Sequence, residues 1–160
     1  MRTFIVGDIH GCINTLTNLL EKVSFNYLED RLFCTGDLID RGNFSADVID
    51  YFFNDDNYAK SVRGNHDDKY LRWLKGHNVV LSEQDGNYGE HYNLLNENFK
   101  DENIKFFESL PLVLHPTSDT TIVHAGFYPW MNHKLFKEEF DKHKRTLMYI
   151  RHITGKETDP

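Results

Sequence analysis

Short apolar segments alternate with segments of helical periodicity in the first half of the chain, and this alternation is the strongest constraint on its fold. The apolar segments at residues 3–6, 31–35 and 59–62 have the length and composition of strands. Between them, apolar residues recur at helical spacing, as Leu16, Leu20 and Val23 do. Strands that alternate with helices build a parallel sheet covered by helices. The sequence therefore predicts an α/β fold that begins with a βαβαβ unit.

The second half of the chain has a less regular pattern. We expect a helix at residues 68–75, a weakly patterned stretch from 79 to 103, and a short helix that ends before Pro111. Residues 112–115 and 121–124 predict a β-hairpin around a turn at 116–119, and a final helix is expected at 135–147. Ser45 is expected to cap the second helix of the chain. Without repeats or a linker, residues 1–160 are predicted to form one domain.

The composition excludes several classes of protein. Hydrophobic residues make up 39% of the 160 residues, enough for a packed core, and no apolar run approaches the ~18 residues of a membrane helix. The net charge of −7 argues against non-specific nucleic-acid binding, which leaves a basic footprint. The first residues enter a strand pattern without space for a signal peptide, and Cys12 and Cys34 are too few for a disulfide framework. We therefore expect a cytoplasmic protein, with Cys12 as a buried thiol.

Four polar clusters follow predicted strands and hold most of the candidate functional residues. They are Gly7-Asp8-Ile9-His10-Gly11, Gly36-Asp37-Leu38-Ile39-Asp40-Arg41-Gly42, Gly64-Asn65-His66-Asp67 and His124-Ala125-Gly126. Open α/β sheets bind ligands beyond the carboxyl ends of their strands, so these clusters are expected to meet at one edge. Their carboxylate, imidazole and amide groups together suit Mn, Zn or Fe better than Ca or Mg, which prefer shells of oxygen alone.

These clusters resemble the motifs of calcineurin-like metallophosphoesterases, in the branch of serine/threonine protein phosphatases and symmetrical diadenosine tetraphosphatases. That branch carries GD-x-HG, GD-xx-DRG, GNH-[ED] and H-[GA]-G in this order, and the match runs through residues 1–126. The sequence of the fourth motif, His124-Ala125-Gly126, is similar to that of bacterial and phage members. The resemblance implies a β-sandwich flanked by helices and two divalent metal ions, above all Mn, with Fe or Zn as alternatives.

The resemblance also implies a role for each matching residue. Asp8 and His10 would bind the first metal, Asp37 would bridge both metals, and Asn65 and His124 would bind the second. The ion pair would activate water for in-line attack on phosphorus.

The acid–base and phosphate-binding residues follow from the same motifs. His66 would protonate the leaving oxygen, with Asp40 orienting its ring. Arg41 would hold two phosphoryl oxygens, and Arg151 matches a segment that carries a second phosphate-binding arginine in related enzymes.

One element of the family is expected to be absent from the chain. Related enzymes supply a further histidine to the second metal from a Gly-His-Thr turn downstream, together with strands that complete the second sheet. Only 34 residues follow Gly126, and they contain no Gly-His dipeptide. We therefore expect the C-terminal part of the family domain to be missing and the second sheet to be incomplete.

The expected function is hydrolysis of a phosphomonoester or phosphoanhydride. Two substrates fit the resemblance, a dinucleoside tetraphosphate and a phosphoserine or phosphothreonine protein, and the acidic composition does not separate them. The alternative is a non-catalytic scaffold that kept the fold and binds a protein partner. Retention of Asp40, Arg41 and His66 argues against that alternative.

Overall fold

The computed structural model describes residues 1–79, 100–127 and 143–150 and confirms the α/β fold. The elements are β1 Thr3–Val6, α1 Ile13–Lys22, β2 Arg31–Cys34, α2 Ser45–Phe53, a 3₁₀ turn Asp55–Asn57, β3 Ala59–Ser61, α3 Asn65–Leu74, α4 Lys100–Ser109, β4 Leu114–Thr117, β5 Thr120–Ile122 and α5 Lys144–Tyr149. Within these ranges, no helix has both the length and the apolar character needed to cross a bilayer.

The first three strands form a parallel sheet in the order β1-β2-β3. Val6 is paired with Cys34, and Cys34 is paired with Ser61, so all three strands end at the same level. The chain therefore leaves the sheet three times at one edge, with the loops after β1 and β3 starting on either side of the loop after β2. This register brings the polar clusters together.

Side chains of the sheet alternate between two separate layers of the core. Leu32 and Cys34 of β2 face the larger cluster, which α1, α2, α3 and α4 complete. Phe33, between them in sequence, faces the opposite side and packs with Val62 and with Ile122 of the antiparallel β4–β5 hairpin. The hairpin is thus the described part of a second sheet packed on the first, as expected.

Three local predictions differ from the structure. Ser45 was expected as the N-cap of α2, but it is the first helical residue, and its Oγ instead accepts the backbone N–H of Asp40 at 3.2 Å. Helix α3 begins at Asn65, three residues before the predicted start, so Asn65 and His66 are helical. The hairpin turns at Ser118 and Asp119, and the preceding predicted turn residues belong to β4.

Two further expectations concern Cys12 and the final helix. Cys12 is exposed, because it precedes α1 at the surface, whereas Cys34 is the buried thiol. Burial raises the pKa of the Cys34 thiol to about 12. The predicted final helix lies largely outside the described residues; within them, α5 follows its N-cap His143 and runs to Tyr149.

The buried carboxylate of Asp30 holds the N-terminal ends of β1 and β2 together, at the end of the sheet opposite the polar clusters. Asp30 accepts the backbone N–H of Arg2 at 2.7 Å and of Asn26 at 3.0 Å, and the Arg2 guanidinium donates to it at 2.6 Å. The hydrogen bonds from the Arg2 side chain and the Asn26 backbone hold the pKa of Asp30 well below its usual range.

We predict that Asp30→Asn lowers the free energy of unfolding at neutral pH. A carboxylate with a depressed pKa stabilises the fold above its unfolded pKa of about 4, and this contribution is lost as the pH falls through the folded value. Urea unfolding of both proteins should therefore show a stability difference at pH 7 that narrows in acid. A difference that widens below pH ~4 would contradict this account.

Candidate metal centre

The loops after β1 and β2 carry backbone strain where their polar side chains converge. Four residues other than glycine have positive φ in these loops: His10 (47°), Asp37 (54°), Asp40 (74°) and Arg41 (66°). Such conformations are unfavourable for residues with a Cβ and persist where the surrounding structure holds them, often at functional sites. The strain thus falls on four of the residues that the sequence motifs selected.

Two close approaches between loops explain the glycines that precede Asp37 and Asn65. Gly36 has φ of 99°, and a Cβ on it would lie 2.7 Å from the backbone nitrogen of Gly64. A Cβ on Gly64 would overlap the carboxylate and backbone of Asp37. Only glycine lets the β2 and β3 loops touch in this way.

His10 presents its Nε2 atom to the centre of the site. Its Nδ1 lies 2.8 Å from the carbonyl oxygen of Ile39, which can only accept, so the neutral ring carries its proton on Nδ1 and its lone pair on Nε2. Nε2 is buried, with no hydrogen-bond partner among the described residues. It lies 3.7 Å from Asp37 Oδ2 and 3.9 Å from Asp8 Oδ2.

His124 is arranged in the same way on the other side of Asp37. Its Nδ1 donates to the carbonyl oxygen of Thr35 at 2.8 Å, which in the neutral ring leaves the lone pair on Nε2. Nε2 faces Asn65 Oδ1 at 3.0 Å and Asp37 Oδ2 at 3.6 Å. In the neutral form of the ring, a cation between these three acceptors would be favourable.

Asp37 lies between the two histidines and is held from the other side. Its Oδ1 accepts the backbone N–H of His66 at 2.8 Å, so Oδ2 is the oxygen turned towards His10 and His124. The side chain is almost fully buried. A carboxylate oxygen between two imidazole Nε2 atoms is placed where a ligand could contact two neighbouring ions.

His66 and Asp40 form a buried pair next to this centre. The ring Nδ1 of His66 lies 2.6 Å from Asp40 Oδ2, and the His66 ring contacts that of His10 edge to face. Burial lowers the pKa of His66, but the hydrogen bond with Asp40 and the charges of Asp37 and Asp40 raise it by more, so the net pKa lies above the usual histidine value. A histidine whose pKa is raised by a carboxylate partner is suited to donating a proton.

The two arginines predicted to bind phosphate have different outcomes. Arg41 follows Asp40 at the rim of the site, where it is exposed and near enough to His66 for its charge to lower the pKa of that ring. Arg151 lies outside the described residues.

The site also contains a carboxylate to which the sequence analysis gave no role. Asp67 is fully buried and accepts three backbone N–H groups, those of Asp37 (2.9 Å), Leu38 (3.0 Å) and Gly64 (2.8 Å). Burial raises its pKa to about 7, and the charge of Asp37 acts in the same direction, whereas the N–H donors lower it. Its place in the GNH-[ED] motif was the one signal that could have revealed it.

The donor set fits divalent cations. Asp37, Asp40 and Asp67 bury three carboxylates in one region, and removing negative charge from water is unfavourable unless positive charge compensates for it. The ring atoms of His10 and His66 and a carboxylate oxygen of Asp37 all lie within 4.8 Å of one another, close enough to share an ion. Each of His10 and His124 has its second nitrogen bonded to a carbonyl oxygen, as metal-binding histidines commonly do.

Comparison with characterised families agrees with this geometry. The family model described as calcineurin-like phosphoesterase matches residues 1–155. A symmetrical bis(5'-nucleosyl)-tetraphosphatase from Psychromonas ingrahamii is 37% identical over 130 residues, 81% of this chain and 45% of the relative. The corresponding protein from Actinobacillus succinogenes is 35% identical over 134 residues, 81% of this chain and 46% of the relative. The chain thus spans a little under half the length of the curated relatives it matches.

Solved structures show the same fold. A crystal structure provisionally assigned as a diadenosine tetraphosphatase has a TM-score of 0.63 at 28% identity and covers 82% of this chain and 57% of that one. A metallophosphoesterase from Sphaerobacter thermophilus has a TM-score of 0.54 at 21% identity, covering 77% of this chain and 46% of its own, which supports the fold alone.

Proposed function

The chain belongs to the calcineurin-like phosphoesterase family, and from this premise we propose that it is a metal-dependent phosphohydrolase that cleaves a phosphate ester or anhydride. The observation that carries the proposal is the position of Asp37 Oδ2, 3.7 Å from His10 Nε2 and 3.6 Å from His124 Nε2. The neighbouring His66–Asp40 pair supplies acid–base chemistry that a binding scaffold would not need.

We assign the metal-binding role to the residues that the motifs predicted. Asp8, His10 and Asp37 would hold one divalent cation, and Asp37, Asn65 and His124 a second, with Mn²⁺ the ion we expect from this mixture of oxygen and nitrogen donors. When bound, such ions neutralise phosphate charge and lower the pKa of an attacking water.

The remaining side chains handle the substrate and the proton. The exposed guanidinium of Arg41 would hold two phosphoryl oxygens in its planar fork, which fixes the orientation of the group to be transferred. His66 would give the proton on Nε2 to the departing oxygen, while Asp40 keeps the ring oriented through Nδ1.

A dinucleoside polyphosphate is the substrate class we propose. The support is similarity to symmetrical tetraphosphatases at 33–37% identity over about four-fifths of the chain. A phosphoprotein is the second substrate class to test, since both classes are known for enzymes that carry these motifs. We also propose a cytoplasmic location, where dinucleoside polyphosphates would be met.

The proposed function is tested with protein stripped of metal by a chelator and then supplied with Mn²⁺. We expect Mn²⁺-dependent release of product from p-nitrophenyl phosphate and from diadenosine tetraphosphate, and slower turnover of a phosphoserine peptide. Turnover of the peptide alone would favour a phosphoprotein as the substrate. A folded protein without Mn²⁺-dependent turnover of any of the three would favour the scaffold.

We predict that Arg41→Ala raises the inhibition constant of inorganic phosphate by roughly ten- to a hundredfold, the effect of losing charge-assisted hydrogen bonds worth about 1.5–3 kcal/mol. Arg41→Lys keeps the charge but not the planar fork and should recover only part of the affinity. Arg31→Ala, an exposed arginine at the opposite end of β2, is the matched control. Equal inhibition constants for Arg41→Ala and Arg31→Ala would contradict the role of Arg41.

A further inference from the structure

Asp67 connects the two loops that supply the central ligands, although all of its described contacts are to the backbone. Oδ2 accepts the N–H groups of Asp37 and Gly64, and Oδ1 accepts that of Leu38. Asp37 and Leu38 belong to the loop after β2, and Gly64 ends the loop after β3, directly before Asn65 at the start of α3. The carboxylate therefore ties the backbone of the loop that carries Asp37 to the backbone that leads into Asn65.

Helix capping explains one of these bonds but not the other two. Asp67 occupies the third position of α3, from which an acidic side chain commonly accepts the N–H of the N-cap residue, here Gly64. The bonds to Asp37 and Leu38 cross to a different loop about thirty positions earlier in the chain. A side chain that served only the helix would not need them.

The chemistry of the position requires a carboxylate. Two of the three N–H groups meet at one oxygen and the third meets the other, so both side-chain oxygens must be acceptors. Asparagine would turn an N–H₂ donor towards at least one of these donors. Both oxygens of Asp67 already accept backbone N–H groups, so its influence on the site is exerted through the position of that backbone.

We infer that Asp67 is a positioning residue that sets the separation of Asp37 and Asn65 and thereby the affinity of the site for divalent ions. The inference rests on the proposed function for its metal, and it concerns a residue whose described hydrogen bonds all go to backbone N–H groups. Backbone placement of Asp37 matters because its Oδ2 must stay between His10 and His124. Outer residues that orient metal ligands typically change metal affinity by about 10–100-fold when replaced.

The test compares Asp67→Asn with Asp30→Asn. Both replacements remove a buried carboxylate that accepts several hydrogen bonds, but Asp30 lies at the far edge of the sheet. Titration calorimetry with Mn²⁺, kcat and KM for p-nitrophenyl phosphate, and unfolding in urea are measured for both. We expect Mn²⁺ affinity to fall about tenfold or more in Asp67→Asn only, with a lower kcat at saturating Mn²⁺. Asp67→Glu, which keeps two acceptor oxygens, should bind Mn²⁺ more tightly than Asp67→Asn.

Amide hydrogen exchange in the metal-free protein tests the inference independently of the proposed function. The amides of Asp37, Leu38 and Gly64 should exchange faster in Asp67→Asn than in Asp30→Asn, after correction for global stability. If the two variants match in the exchange of these amides and in Mn²⁺ affinity, Asp67 has no positioning role. If the wild-type protein itself binds no Mn²⁺, the proposed function fails, while the exchange of the three amides still decides whether Asp67 holds the loops.

Discussion

Asp37→Asn is expected to abolish phosphatase activity and to release at least one of two Mn²⁺ ions while the fold stays intact. The Oδ2 atom of Asp37 is the described oxygen that faces both His10 and His124, and its charge would offset the repulsion between two dications. We expect kcat/KM to fall by about 10³-fold or more, the scale on which loss of a central electrostatic group slows an enzyme. Metal analysis after dialysis and turnover of p-nitrophenyl phosphate measure the two effects.

The fold should survive because the contact that Asp37 makes to the protein does not need a charge. Its Oδ1 accepts the His66 backbone N–H, and the amide oxygen of asparagine can accept the same bond. Circular dichroism should therefore match the wild type. Asp50→Asn, an exposed residue of α2, is the control and should keep both metals and activity. Two tightly bound ions with normal turnover in Asp37→Asn would end the assignment of this centre.

The convergence of the site could be predicted from the sequence because it depends on strand register, which local patterns encode. Each strand is a short apolar run followed by a glycine turn, and parallel pairing places Val6, Cys34 and Ser61 at one level. The polar residues a few positions later then have to meet. The order of the four motifs selected the family, and the comparisons confirm it.

Contacts between residues far apart in sequence could not be predicted in this way. Arg63 is largely buried and donates to the carbonyl oxygens of Glu108 and Leu110, although nothing in its own segment indicates these contacts. From its own segment, Asp67 is predicted only to be an acidic residue in the first turn of a helix. Its hydrogen bonds to the loop after β2 form only when β2 and β3 lie side by side. Both residues bind backbone groups, which carry no sequence signal.

His66→Asn is expected to slow the reaction by an amount that depends on the leaving group. A general acid contributes about 10²–10⁴-fold where the departing oxygen needs a proton, and little where it leaves as a stable anion. The rate should therefore fall most for alkyl phosphates, less for phenyl phosphate and least for p-nitrophenyl phosphate. Steady-state kcat for this series measures the effect. Asp40→Asn should give the same ranking with smaller losses, because it removes the group that orients the ring and favours its proton.

The series also separates two roles that the geometry allows. The ring of His66 lies close enough to His10 and Asp37 to share an ion with them, so its Nε2 could bind metal instead of donating a proton. Loss of a metal ligand would lower the rate equally for all leaving groups and would reduce the Mn²⁺ content after dialysis. Loss of a proton donor would leave the metal content unchanged and steepen the dependence on the leaving group. His115→Asn, at an exposed histidine of β4, controls for the substitution itself and should change neither quantity.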